Sequence, residues 1–245
     1  TFLGIDQPGP YRLSMDFIPD EGWTSLTVAP GIRWERFRGE IRGDDQRVNI
    51  IALSPERSEN LGVRRHFGCQ RVSTVANGAL VGINGGNFGL LCAPAGDLVR
   101  EGQVVSDSDP VSWNNDQRAW VGWQGQDFRF VWRNAREPWP DIDHGLSAHP
   151  MLVLQGQAEA EAQPGQAVED DRDLDEEPRS VIAQNAMGEI LLITFDGDGE
   201  SGEGISTPDM ADWLVDTLDV RSALNLSGGD ASTLYLANCA MDGVV

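Results

Sequence analysis

The sequence predicts an α+β fold, a mixed β-sheet with few helices. Three observations point there. Short apolar runs broken by Gly, Pro and Asp clusters fill the first half of the chain, the pattern of strands and turns. Apolar residues recur at helical spacing over a long stretch only at residues 209–218. Three apolar strand-like runs end in glycine-rich turns, at residues 84–87, 196–199 and 227–230, and these are expected to converge at one sheet edge. With 245 residues, neither an internal repeat nor a linker is evident, so a single domain over residues 1–245 is expected.

Taken in order, residues 25–29, 47–53 and 79–83 read as strands, and residues 56–67 as one short helix. Alternation over residues 118–133 predicts a hairpin. Trp113, Trp120, Trp123, Trp132 and Trp139 punctuate that region; they suit either stacking on pyranose rings or, more plainly, core packing. Residues 157–178 turn abruptly to Ala, Glu, Gln and Asp and end in a run of seven acids and one arginine, read as an exposed acidic loop insertion. Residues 180–184 and 189–195 then pair across a turn at 185–188. Thr207 as N-cap and Pro208 at the first helical position open the helix. Residues 223–226 form a buried strand, and 232–237 a strand beyond the last glycine turn.

Eighteen basic residues, all arginine, face 39 acidic ones, for a formal charge of −21. That field repels phosphate backbones and anionic lipid, so a nucleic-acid partner is not expected, and an anionic small substrate needs its own local cation. No run approaches the roughly 18 to 20 apolar residues of a membrane-spanning helix. The chain starts at Thr1, as a processed secreted protein would, and an extracellular or periplasmic location is expected. Three cysteines, Cys69, Cys92 and Cys239, allow one bridge and one free thiol, and their spacing is not that of a zinc site.

The chemistry gathers at the glycine turns. Their amides, with Asn84, Asn225, Ser232 and Thr233, would form an anion cradle. No phosphate-loop or dinucleotide-binding motif is present. Arg179 follows the acidic run and precedes a strand, where its guanidinium can clamp a phosphate or pair with the neighbouring acids. His149, before Pro150, can donate a proton, contact phosphate or be structural. Asp196, Asp198, Glu200 and Glu203 suit acid and base work or a cation; no cofactor is required, and calcium is the cation they would take.

The segments NGGNF (84–88), PRSVIAQN (178–185), FDGDG (195–199) and GISTPDMADWLVDTLDVRSALNLSGGDASTLYL (204–236), with APGIRWERFRG (29–39) and RVNIIALSP (47–55), resemble the phosphodiester glycosidase family in order and spacing from about residue 28 onward. Asn84, Gly85, Gly86, Arg179, Asp196, Gly197, Asn225, Gly228, Gly229, Ser232 and Thr233 match the family pattern. Asn87 replaces an aromatic residue, and Ser227 stands where the family has an aspartate, with Asp230 three residues later.

The resemblance implies a hydrolase that cleaves a sugar 1-phosphodiester at the anomeric carbon, on a glycan or glycolipid. Asp196 and then Asp230 would be the catalytic carboxylate, and Arg179 the phosphate cation. Asn84, Gly85, Gly86, His149, Asn225, Ser227, Gly228, Gly229, Ser232 and Thr233 would bind substrate, and no metal ligand is assigned. Ser227 motivates an alternative, a catalytically impaired sugar-phosphate-binding protein on the same scaffold. The sequon at Asn225 is expected to carry no glycan.

Overall fold

The structure, a computed structural model, describes residues 1–6, 21–66, 68–106, 117–134, 141–158, 175–196 and 204–237. In chain order these form β1 (Phe2–Asp6), β2 (Gly22–Ala29), β3 (Ile32–Ile41), β4 (Asp44–Leu53), α1 (Pro55–Ser58), β5 (Leu61–Arg64), α2 (Val72–Val75), β6 (Ala79–Asn84), β7 (Leu98–Arg100) and β8 (Gln103–Ser106). There follow β9 (Gln117–Gln124), β10 (Asp127–Asn134), β11 (His144–Ala148), β12 (Met151–Leu154), β13 (Gln157–Ala158), β14 (Arg179–Asn185), β15 (Ile190–Phe195), α3 (Thr207–Leu218), β16 (Val220–Asn225) and β17 (Leu234–Leu236). Sheet dominates, and α3 is the one helix longer than a single turn among the described residues.

The strands build three sheets, ordered β17-β6-β1-β5, β10-β9-β11-β7-β8 and β13-β12-β16-β14-β15-β4-β3-β2. Every pairing among the described residues is antiparallel, where a mixed sheet was expected. The reason is local: many neighbours are joined by two-residue turns, which only antiparallel strands accept. Arg42-Gly43, Glu101-Gly102 and Gln155-Gly156 each carry two successive positive φ values, the turn whose twist matches a hairpin.

One core joins the sheets. Leu3, Ile51, Val81, Trp123, Leu146, Ile182, Leu192 and Leu224 belong to a single buried cluster drawn from all three. On its other face the eight-stranded sheet buries Ile193, Phe195 and Val220 against Met210, Ala211 and Leu214 of α3. That helix is capped by Ser206, one residue before the expected Thr207: the Ser206 hydroxyl accepts from the Asp209 amide at 3.3 Å and donates to its carboxylate at 2.7 Å. Asp219, left-handed at φ 47°, ends it.

The expected helix over 56–67 is corrected. Only Pro55–Ser58 is helical, and Leu61–Arg64 is a strand, because buried Leu61 and Val63 alternate with Gly62 and Arg64 and pair with β1. The hairpin over 118–133 is present as β9 and β10, and Trp120 and Trp123 are buried in it, core residues rather than sugar platforms. Trp113 and Trp139 lie outside the described residues, as do residues 159–174 of the acidic insertion, whose first residues form β13.

What positions the site is strand register. Arg179 pairs with Phe195 and Val181 with Asn225, so the start of β14 and the ends of β15 and β16 share one edge of the large sheet. The expectation that all three glycine-bearing strands share a sheet is corrected: β6 belongs to the four-stranded sheet and reaches this edge across the interface between the sheets.

Candidate active site

Asn84, the last residue of β6, fastens the two sheets at this edge. Its amide nitrogen donates to the Ser227 carbonyl at 2.8 Å and, at 3.3 Å, to the Gly85 carbonyl. Its oxygen accepts from the Ser180 hydroxyl at 2.7 Å and the Thr233 amide at 3.0 Å. These contacts use both amide hydrogens and both lone pairs, so Asn84 positions its neighbours and has no capacity left for a sugar hydroxyl. The Ser227 amide donates to the Gly85 carbonyl, which joins the first and third glycine turns directly. The second turn begins at Asp196; Gly197, Asp198, Gly199, Glu200 and Glu203 lie outside the described residues.

Where the two turns meet, a cleft of about 740 Å³ opens. It is lined by Asn84, Gly85, Gly86, Ser227, Asp230 and Thr233 of the sequence-predicted set. A side chain on Gly86 would meet the Ser147 carbonyl at 2.6 Å, so glycine is required for the turn to pass beneath the cleft. Not every turn amide faces a ligand: Gly85 donates to the Thr1 carbonyl and Gly229 to the Pro178 carbonyl. The Gly86 and Gly228 amides make no hydrogen bond among the described residues, and of the two Gly86 lines the cleft and is the cradle donor that remains.

The opposite wall was invisible in the sequence. It comprises residues 68–73 and includes Arg71, together with His66, Phe88 and Cys92. Cys92 is bridged to Cys69, which ties this wall to the loop after β6. Arg71 and His66 form no ion pair among the described residues. Their motif-free setting gave no signal. Arg71 and Asp230 are the charged side chains of the lining, so the cleft is charge-balanced inside a chain of formal charge −21.

Four predicted residues stand behind the cleft. Arg179 is buried; its guanidinium pairs with Glu177 at 2.7 Å and donates to the carbonyls of Asp175 at 2.7 Å and Ile205 at 3.2 Å. The pair with the acidic run is formed, and a side chain on Gly228 would meet the Arg179 Cδ at 3.6 Å. Asn225 is buried, donates to the His149 carbonyl at 2.8 Å, and leaves its own oxygen without a partner. It has no room for a glycan. The His149–Pro150 bond is cis. Ser232 likewise keeps a buried hydroxyl without a partner.

Asp196, the residue after the end of β15, is not among the cleft-lining residues and accepts from Asn49 at 3.1 Å. Burial raises its pKa above the usual carboxylate range, opposed by the charge of Arg47 and the Asn49 bond. Behind it runs a buried polar row in direct register, Asn49, Thr194 and Ser180, the last bonded to Asn84. The Thr194 hydroxyl in that row has no partner. Alternation of polar residues within otherwise apolar strands was the signal, and it was missed. No cluster of metal-ligating side chains exists among the described residues.

The family model of the phosphodiester glycosidases matches residues 70–244. The chain belongs to the phosphodiester glycosidase family. Its fold is shared with a hypothetical protein from Synechocystis (TM-score 0.68, 16% identity, 94% of this chain and 61% of that one). It is shared also with the catalytic domain of zebrafish N-acetylglucosamine-1-phosphodiester alpha-N-acetylglucosaminidase, auto-inhibited by its pro-peptide (TM-score 0.67, 18% identity, 91% of this chain and 80% of that one). A putative exported protein from Burkholderia pseudomallei is a third neighbour (TM-score 0.59, 15% identity, 83% and 71%). The chain thus spans about three fifths of the Synechocystis protein. A comparison with curated proteins finds no match. Within the family's matched span fall both cleft walls from Gln70 onward, Arg71 and Asp230 included.

Proposed function

We propose that this phosphodiester glycosidase family member hydrolyses a sugar 1-phosphodiester at the anomeric carbon, on a glycan or glycolipid. The observation that carries the reading is the charge-balanced cleft, in which Asp230 and Arg71 line a cradle built by the two joined glycine turns. Water adds its oxygen to the anomeric carbon as the bond to the phosphate oxygen breaks; one water proton stays on the new sugar hydroxyl and the other leaves with the phosphate monoester or to solvent. The leaving phosphate needs little protonation but gains from a cation and backbone donors. Arg71 and the Gly86 amide, both on the cleft lining, supply these. Asp230, on the cleft wall, directs water or attacks the oxocarbenium-like centre. Asp196, whose pKa burial raises, is the second carboxylate, set back from the cleft wall, and Arg179 and Asn84 are positioning residues. His149, Asn225, Ser232 and Thr233 complete the support of the turn. A secreted location is supported by the Cys69–Cys92 bridge, since such bonds persist in oxidising compartments. No described helix is long and apolar enough to cross a membrane.

Ser227 supports a second reading, a binding protein. It lines the cleft where the family pattern has an aspartate, and its backbone is pinned by Asn84 and Gly85. Sugar release from a panel of 1-phosphodiesters separates the two. Turnover that falls in Asp230→Asn supports the hydrolase; absent turnover that appears in Ser227→Asp supports the binding protein.

A further inference from the structure

Three of the large apolar side chains most exposed to water follow closely on the loop after β6, and the first of them, Phe88, lines the cleft. Phe88 is 50%, Leu90 90% and Leu91 76% exposed. The loop that carries them is built rigidly. Ala95 donates to the Asn87 carbonyl at 2.9 Å, Gly89 to the Ala93 carbonyl at 2.8 Å, Phe88 and Pro94 form a bridge, and the disulfide fastens Cys92 to Cys69. Leu91 and Cys92 both hold left-handed backbone, φ 60° and 56°, which side-chain-bearing residues adopt only when the surroundings impose it. Within the chain this geometry returns little, because the leucines it presents bury little surface. Natural surfaces rarely keep such a patch without a ligand for it.

The patch is continuous with the cleft: Phe88 and Cys92 are lining residues, and Cys92 is tied to Cys69, two positions before Arg71. A cationic anchor and an apolar loop are therefore held at opposite ends of one cross-link. We propose that the Phe88, Leu90 and Leu91 loop is the aglycone subsite, and that the substrate class is a sugar 1-phosphodiester whose phosphate carries an apolar chain. The inference rests on the hydrolase reading and deepens it. The phosphate meets Arg71, and the chain beyond it lies along Phe88 and the two leucines; a polar aglycone forgoes that burial.

The test compares methyl phosphate, octyl phosphate and octyl glucoside as ligands of the full chain by calorimetry, beside turnover of the methyl and octyl diesters of glucose 1-phosphate. Burial of about two methylenes' worth of chain makes octyl phosphate bind roughly tenfold tighter than methyl phosphate. In Leu90→Ser/Leu91→Asn, which keeps a residue tolerant of left-handed backbone at 91, that ratio falls to near one. In Arg71→Gln both phosphates weaken and the ratio persists. Equal binding of the two phosphates, an octyl advantage that survives the double substitution, or octyl glucoside binding as tightly as octyl phosphate overturns the proposal; the last outcome assigns the loop to lipid surfaces in general. If the octyl preference holds but no diester releases sugar, the hydrolase reading fails while the apolar subsite stands.

Discussion

Replacing Asn84 by alanine removes the clip between the two sheets, and the structure sets the size of the loss. Three groups lose a partner: the buried Ser180 hydroxyl, the part-buried Thr233 amide and the buried Ser227 carbonyl. Each orphaned buried group costs about 1–3 kcal/mol, and the hydroxyl can rotate toward another acceptor, so a loss of about 4 kcal/mol is expected. Ser180→Ala leaves the Asn84 oxygen its Thr233 bond and costs only about 1 kcal/mol. The two changes are coupled, because once Asn84 is gone the Ser180 hydroxyl has nothing to lose; the double variant is expected to fall short of the sum by about 1 kcal/mol. Urea unfolding followed by the fluorescence of buried Trp120 and Trp123 reads all three. A cost below about 1 kcal/mol for Asn84→Ala, or strict additivity, refutes the assignment of Asn84 as a structural clip.

Further outcomes follow from the same contacts. Asp196 has a raised pKa in the fold, so the native state binds more protons than the unfolded chain and stability falls as pH climbs from the usual carboxylate range through the raised value; Asp196→Asn is expected to raise the unfolding midpoint at pH 7, with the gain vanishing near pH 3, in thermal melts at both values. Reducing Cys69–Cys92, whose partners are 23 residues apart, frees a loop worth about 3 kcal/mol of unfolded-state restriction, read as a drop in urea midpoint on adding reductant. Ser206→Ala removes the cap of α3 and costs about 1 kcal/mol in the same assay.

Strands were the legible part of the fold, because alternation and turn residues are local. The runs at 47–53, 79–83 and 189–195 and the helix ending at Leu218 stand where periodicity put them. Sheet membership was not legible: nothing in residues 79–84 says that β6 pairs with β1 and β17 rather than with β15. The error at 56–67 has a similar cause, since Leu61 and Val63 fit either period until β1 offers a partner. At the site, the glycine turns were visible as motifs, and the cleft does gather Asn84, Gly86, Ser227, Asp230 and Thr233. Roles were less visible. The sequence names Asn84 but not its four side-chain hydrogen bonds, and it offered Arg179 the neighbouring acids without saying that Glu177 is the one it pairs with or that two carbonyls join it. Arg71 and His66 carried no motif and enter the site only through the loop that Cys69–Cys92 closes.

Release of free sugar from sugar 1-phosphodiesters by the natural chain, beside Asp230→Asn, tests the central claim most directly. Turnover in the natural chain, with a loss of about 100-fold or more in the variant while both unfold at the same urea concentration, is the predicted result for a carboxylate acting at the reacting carbon. Turnover that survives Asp230→Asn undiminished contradicts the assigned carboxylate, and no release from any diester by the natural chain contradicts the hydrolase itself.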